Sequence, residues 1–131
     1  MGTKGIEKVV IQACSALGIV PLTSIYVPDD FPEGKEERIV IHVKNQQRGE
    51  IFYKGFVEVN FVSPDVEGRA DHARLEAVED IFFEAWKYDT VVDYDGETCR
   101  YGLASQPQTM PEKEAGYHYV NARLLFEILN V

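Results

Sequence analysis

Two stretches of this chain carry apolar residues at helical spacing, and the runs around them alternate with the period of strands, in the order α-β-β-β-α-β-β-β. That order constrains the fold most, because a strand period puts alternate side chains on opposite faces whereas a helical period gathers them on one stripe. It predicts an α+β domain, a mainly antiparallel sheet with two helices packed on one face. At 131 residues the chain has the size of one domain, so residues 1–131 are read as a single unit.

The elements follow from local chemistry. Thr3 is placed to cap the first helix, with Ile6, Val9, Val10, Ala13 and Leu17 as its stripe and Gly18 as its end. Residues 22–27 read as a short strand, and the flanking Pro21 and Pro28 place it at a sheet edge or strand end. Residues 38–44 alternate, Ile39, Ile41 and Val43 against Val40 and His42. Residues 45–55 read as an extended loop or hairpin arm, and residues 56–62 as a strand stopped by Ser63 and Pro64. A second helix over residues 70–87 gathers Leu75, Val78, Phe82, Ala85 and Trp86. Residues 91–94 and 98–103 flank Asp95 and Gly96, which suit a two-residue hairpin turn. Residues 105–116 read as a polar loop. Residues 117–129 then alternate again, over a length that must bend or outrun its sheet. The expected core includes Val10, Leu17, Ile39, Ile41, Val59, Leu75, Phe82, Trp86, Leu124 and Phe126.

Charge is unevenly placed. The net charge is −9, and residues 64–97 hold eleven acids against Arg69, Arg74 and Lys87, a net of −8 that leaves −1 for the rest. Binding of a phosphate backbone needs clustered Lys and Arg, so the balance opposes specific nucleic-acid binding. On the second helix Glu76, Asp80 and Glu84 recur at i, i+4 and i+8, a like-charge column that costs an isolated helix roughly 0.2–0.5 kcal/mol per pair. Its plain use is a solvated face; its sharper use is contact with something outside the chain. Arg48, Phe52, Tyr53 and Lys54 make the 45–55 arm locally basic and aromatic, a composition suited to an interface.

Motif-borne chemistry is missing. The sequence holds no phosphate-binding glycine loop, no GxSxG elbow and no HExxH, and its histidines, His42, His72 and His118, lie on different elements. His42, Cys99 and His118 would form a site only if their strands neighbour one another. His72 and Glu76, at i and i+4, suit a surface helix pair as well as proton transfer. Trp86 belongs to the apolar helix face before it belongs to any base-stacking platform. No metal ligand set, cofactor site or catalytic residue is assigned. Cys14 and Cys99 form no disulfide framework, which fits a reducing cytoplasm, and no run approaches the roughly 20 apolar residues of a membrane span.

The ordered pattern has a likeness among known proteins. The first helix ending at Gly18, the Ile19, Val20, Pro21, Leu22 run, the strands 38–44 and 56–62, the helix starting near Gly68, Arg69, Ala70 and Asp71, and the closing strand through Tyr119, Val120, Asn121, Ala122, Arg123 and Leu124 together resemble tail terminator or tail completion proteins of long-tailed phages. The resemblance spans nearly the whole chain. It implies a structural protein, not an enzyme, that forms a ring, usually a hexamer, capping the tail tube and joining it to the head connector. Head-tail joining proteins fall within the same reading. The implied partners are other copies of the chain, the tail-tube protein and the connector protein, and the implied places are the virion and the host cytoplasm during assembly. The rival expectation is a small cytoplasmic enzyme or ligand-binding α+β domain with its site near His42, Cys99 and His118.

Overall fold

Glycine, proline and capping residues set the element limits in the computed structural model, which describes residues 1–28, 36–44, 47–48, 52–112 and 115–129, with the backbone alone at 47–48 and 52–53. Helix α1 (Thr3–Leu17) stops at Gly18, whose φ of 70° is the left-handed conformation that ends helices. The expected Thr3 cap is corrected: the Ile6 N–H donates to the Gly2 carbonyl at 3.1 Å, which makes Gly2 the N-cap and puts Thr3 inside the first turn. Helix α2 (His72–Trp86) begins two residues later than its pattern suggests, because the Asp71 carboxylate accepts from the Arg74 N–H at 3.2 Å. Among the described residues no helix is long and apolar enough to cross a membrane.

Among the described residues eight strands form one sheet: β1 (Ile25–Tyr26), β2 (Arg38–Val43), β3 (Gln47–Arg48), β4 (Phe52–Pro64), β5 (Thr90–Tyr94), β6 (Glu97–Leu103), β7 (Gln108–Glu112) and β8 (Tyr117–Leu129). The main path runs β1-β2-β4-β8-β6-β5, with β3 added to β4 and β7 to β8. Among the described residues β1 and β2 pair in parallel and the other pairings are antiparallel. The chain is therefore α+β in the expected order, with two short strands added. Strand β1 keeps the edge position that its prolines dictate but is shorter than expected, because Leu22–Ser24 is a 3-10 turn. At the β5–β6 hairpin Asp95 and Gly96 both take positive φ, 50° and 78°, as the turn requires.

Strand β8 resolves how so long a run is accommodated. One edge pairs with β4 over 13 residues, from Phe52 opposite Leu129 to Pro64 opposite Tyr117. The other edge is shared by β6 and β7, which follow one another along it. Between them residues 104–107 oppose only residues 122–123, a bulge anchored by the Ala104 N–H on the Arg123 carbonyl at 2.8 Å. Strand β7 lies in the segment that reads as a loop. Its five residues are all exposed, so backbone pairing specifies it rather than an apolar period.

The core lies between the helices and one face of the sheet. Ile39 and Ile41 of β2, Val57, Val59 and Phe61 of β4, and alternate residues of β8 from Val120 to Ile128 are buried against Ile6, Val10 and Cys14 of α1 and Leu75, Val78 and Phe82 of α2. Of the residues assigned to the core by pattern, Leu17 alone is half-buried, since it sits in the last turn of α1. Phe82 stacks on Trp86 with ring centroids 5.2 Å apart, and Tyr101 stacks on its cross-strand partner Phe126 at 5.8 Å.

Two substitutions test this packing. Phe82 is fully buried, so Phe82→Ala is expected to lower unfolding free energy by about 3–5 kcal/mol in chemical denaturation; an unchanged midpoint would mean that α2 presents another face. Gly102 is buried beneath Asp89, and a Cβ there would meet the Asp89 carboxylate and come within 3.3 Å of its Cα. Gly102→Ala should therefore shift the start of β5 and cost about 1–3 kcal/mol, the usual range for overpacking.

Candidate functional site

The sheet register decides which nominated residues can meet. On β2 the odd positions face the core, so His42 is exposed on the opposite face, across from Glu58. Cys99 is buried in the core opposite Ile128, and burial pushes its thiol up, as it does that of Cys14. His118 pairs with Ser63 at the far end of β8, ten residues from Ile128, or roughly 33 Å along an extended strand. The expected grouping of His42, Cys99 and His118 is thus corrected. Among the described residues no three His, Cys, Asp or Glu side chains are grouped to hold a metal ion.

The other nominated residues divide between core and surface. Trp86 is in the core, while His72 and Glu76 are exposed on α2. Glu76, Asp80 and Glu84 form an exposed acidic column, of which, among the described residues, Glu84 alone has a Lys partner, Lys87 at 2.8 Å. In the arm, Gln47 and Arg48 pair with Lys54 and Tyr53, so its ends form a hairpin, and Lys54 is exposed. The side chains of Arg48, Phe52 and Tyr53, and residues 45–46 and 49–51, lie outside the described residues.

A cleft of about 800 Å³ opens where β4 ends, and the sequence did not mark it. Residues 66–69 close a tight turn there: Val66 and Arg69 exchange backbone hydrogen bonds of 2.8 and 3.0 Å, and Glu67 and Gly68 both take positive φ. The Asp65 N–H donates to the Gly116 carbonyl at 3.0 Å, which brings the β7–β8 connection to the same place. Among the described residues Glu37, Asp65, Glu67 and Asp71 line the cleft with Ser63 and Tyr117, and Arg69 stands in the same turn.

These carboxylates are not equally free. Both oxygens of Glu37 accept from Arg74, at 2.9 and 3.0 Å, and Arg74 also donates to the Ile19 carbonyl and lies 5.3 Å from the Phe61 ring centre. Asp71 caps α2, and Asp65 is 2.7 Å from His118 Nδ1. Glu67 is exposed on the turn. Behind Tyr117, the buried Arg38 donates from its guanidinium to the Glu36 carbonyl. Ser63 stands opposite His118 in the ladder, yet no hydrogen bond joins its hydroxyl to the imidazole, so nothing here activates a nucleophile.

The sheet face away from the helices is balanced instead. Glu58 accepts from Asn121 and lies 3.6 Å from Arg123, whose guanidinium sits 3.8 Å over the Phe56 ring, and Arg100 bonds Glu127 at 2.7 Å. Its charges are largely neutralised in place. The acid surplus of residues 64–97 is spread over the β4–α2 turn, α2 and the β5–β6 hairpin, beside and within which Asp89, Asp93, Asp95 and Glu97 lie.

No family model matches this chain, and no curated protein matches it. Solved structures do: one chain, known by a code rather than a functional name, is 15% identical with a TM-score of 0.62, over 95% of this chain and 91% of that one. At that identity the likeness shows the fold alone.

Arg74 holds the cleft wall to the body, with side chains about a third exposed on both sides of its ion pair. Arg74→Gln should lower stability by about 1–2 kcal/mol, the hydrogen-bond loss reduced by solvent screening. Urea denaturation at low and high salt measures it.

Proposed function

We infer that this chain is a structural protein of a phage or prophage, a ring-forming tail terminator or tail completion protein that caps the tail tube and joins it to the head connector. On this reading it carries no catalytic activity and requires no cofactor. The observation that carries the reading is the exposed column of Glu76, Asp80 and Glu84 on α2. Like charges in that register weaken the helix that bears them, while the sheet face away from the helices pairs its own acids with Arg. An external partner makes use of that column. The α+β element order supports the reading as well, since the resemblance to tail terminators spans almost the whole chain.

The rival reading loses its assembly point, because His42, Cys99 and His118 do not meet. Terminator and head-tail joining roles stay together in the proposal, since both need a surface that fits between a tube and a connector.

Neutralising Glu76 and Asp80 together (Glu76→Gln, Asp80→Asn) separates function from folding. The isolated protein should keep its stability or gain a few tenths of a kcal/mol, because two like-charge contacts are relieved. Completion of tails in a lysate, scored by electron microscopy and infectivity, should fall. Normal particles from a strain lacking the gene altogether would end the tail-assembly reading.

A further inference from the structure

The open strands of the sheet are not protected alike. Strand β1 is two residues long and flanked by Pro21 and Pro28, and β7 carries Pro111, so both are blunted against the addition of a further strand. Strand β5, at the other end of the main path, runs five residues without a proline. Among the described residues it pairs with β6 alone.

The ladder fixes which backbone groups of β5 are open. The Ala104 N–H reaches the Arg123 carbonyl of β8, so the even residues of β6 point to β8 and its odd residues point to β5. Thr90, Val92 and Tyr94 stand opposite Tyr101, Cys99 and Glu97 and therefore bond β6, which leaves the N–H and C=O groups of Val91 and Asp93 pointing outward. Val92 and Tyr94 pack against the core, so the side chains of Val91 and Asp93 lie on the sheet face away from the helices. Val91 is 62% exposed, and Tyr88 just before the strand is 78% exposed.

Charge selects what can add there. Asp89, Asp93 and Asp95 are exposed beside Val91. Asp89 lies 4.0 Å from Arg100, a guanidinium already bonded to Glu127, and Asp93 accepts from the neutral Thr98 hydroxyl. A second copy paired antiparallel over the whole of β5 would set Asp89 against Asp95 at both ends, and a shift of two residues would set Asp89 against Asp93. Like charges directly opposite destabilise a strand pair, so self-pairing is opposed in both registers.

We propose that the outer edge of β5 receives an extended basic segment of another protein, which adds a strand with an apolar residue beside Val91 and cations beside Asp89 and Asp93. Bonds to the Val91 and Asp93 backbone supply the affinity, and alternate side chains of the incoming segment supply the selectivity. The contact goes beyond the tail-assembly reading and does not rest on it.

The test uses the full chain and a short synthetic peptide of the order lysine, threonine, valine, threonine, lysine, blocked at both ends. One control replaces its lysines by glutamate, and another carries N-methylated backbone amides. Hydrogen exchange by NMR should show the Val91 and Asp93 amides exchanging fast in the free protein and slowed by the lysine peptide, while neither control slows them. Asp93→Lys should weaken the lysine peptide roughly tenfold and tighten the glutamate peptide. Val91→Pro removes an outward N–H without touching the β6 ladder, so it should abolish binding while the Val92 and Tyr94 amides stay protected. Fast exchange at Val91 and Asp93 with the lysine peptide present, equal binding of the N-methylated peptide, or an Asp93→Lys variant that treats both charged peptides alike would overturn the proposal. Slowing of those amides in the free protein as its concentration rises would put a second copy on the edge and overturn it too.

Discussion

The pairing of β4 with β8 is the constraint on which the rest of this structure depends. Two 13-residue strands lie side by side over their full length, in a register that puts Val57, Val59 and Phe61 on the same face as Val120, Ala122, Leu124 and Phe126. A slip of one residue would turn every one of these side chains toward the opposite face and set Glu58, Asn60, Asn121 and Arg123 in the core. Both helices pack on the face this register creates, and β2 and β6 extend it on either side. The polar ladder on the reverse face reinforces the same choice: Asn121 reaches both Glu58 and Asn60 only when the strands align as they do.

That register also distributes charge. Two acids on the central strands have Arg neighbours one strand away, Glu58 with Arg123 and Glu127 with Arg100, because cross-strand neighbours are fixed by the pairing. Helix α2 has no such neighbour on its solvent side. Glu79 accepts from Thr109 of β7 and Lys87 meets Glu84, but nothing comparable meets Asp80 or Glu76 among the described residues. The net acidity of the region is thus a property of how the two kinds of element find partners.

Much of the fold was legible because its signals are local. Asp95 and Gly96 announce a turn through backbone preference, Gly18 announces a helix end, and the alternation from Val120 to Ile128 announces a half-buried strand. Signals failed where structure is specified from a distance. Strand β7 has no apolar period, and it is a strand because β8 offers an unpaired edge beyond the bulge. The cleft failed for a similar reason: Glu37, the Asp65–Asp71 turn and Gly116 are far apart in sequence, and the pairing of β2 and β8 with β4 brings their ends to one place. The His42, Cys99 and His118 grouping erred in the other direction. Neighbouring strands were necessary for it, but face and position along the strand were decisive, and neither is visible before the register is known.

Long, fully paired strands also fix how the ends of the molecule relate. Paired along its whole length with β8, β4 holds Lys54 near its start and Pro64 at its end ten residues apart, roughly 33 Å along an extended chain. That is several times the roughly 8 Å over which exposed charges act at physiological salt, so the charges at the two ends are set independently of one another. A shorter central strand would bring the two ends within screening distance and let their charges pair.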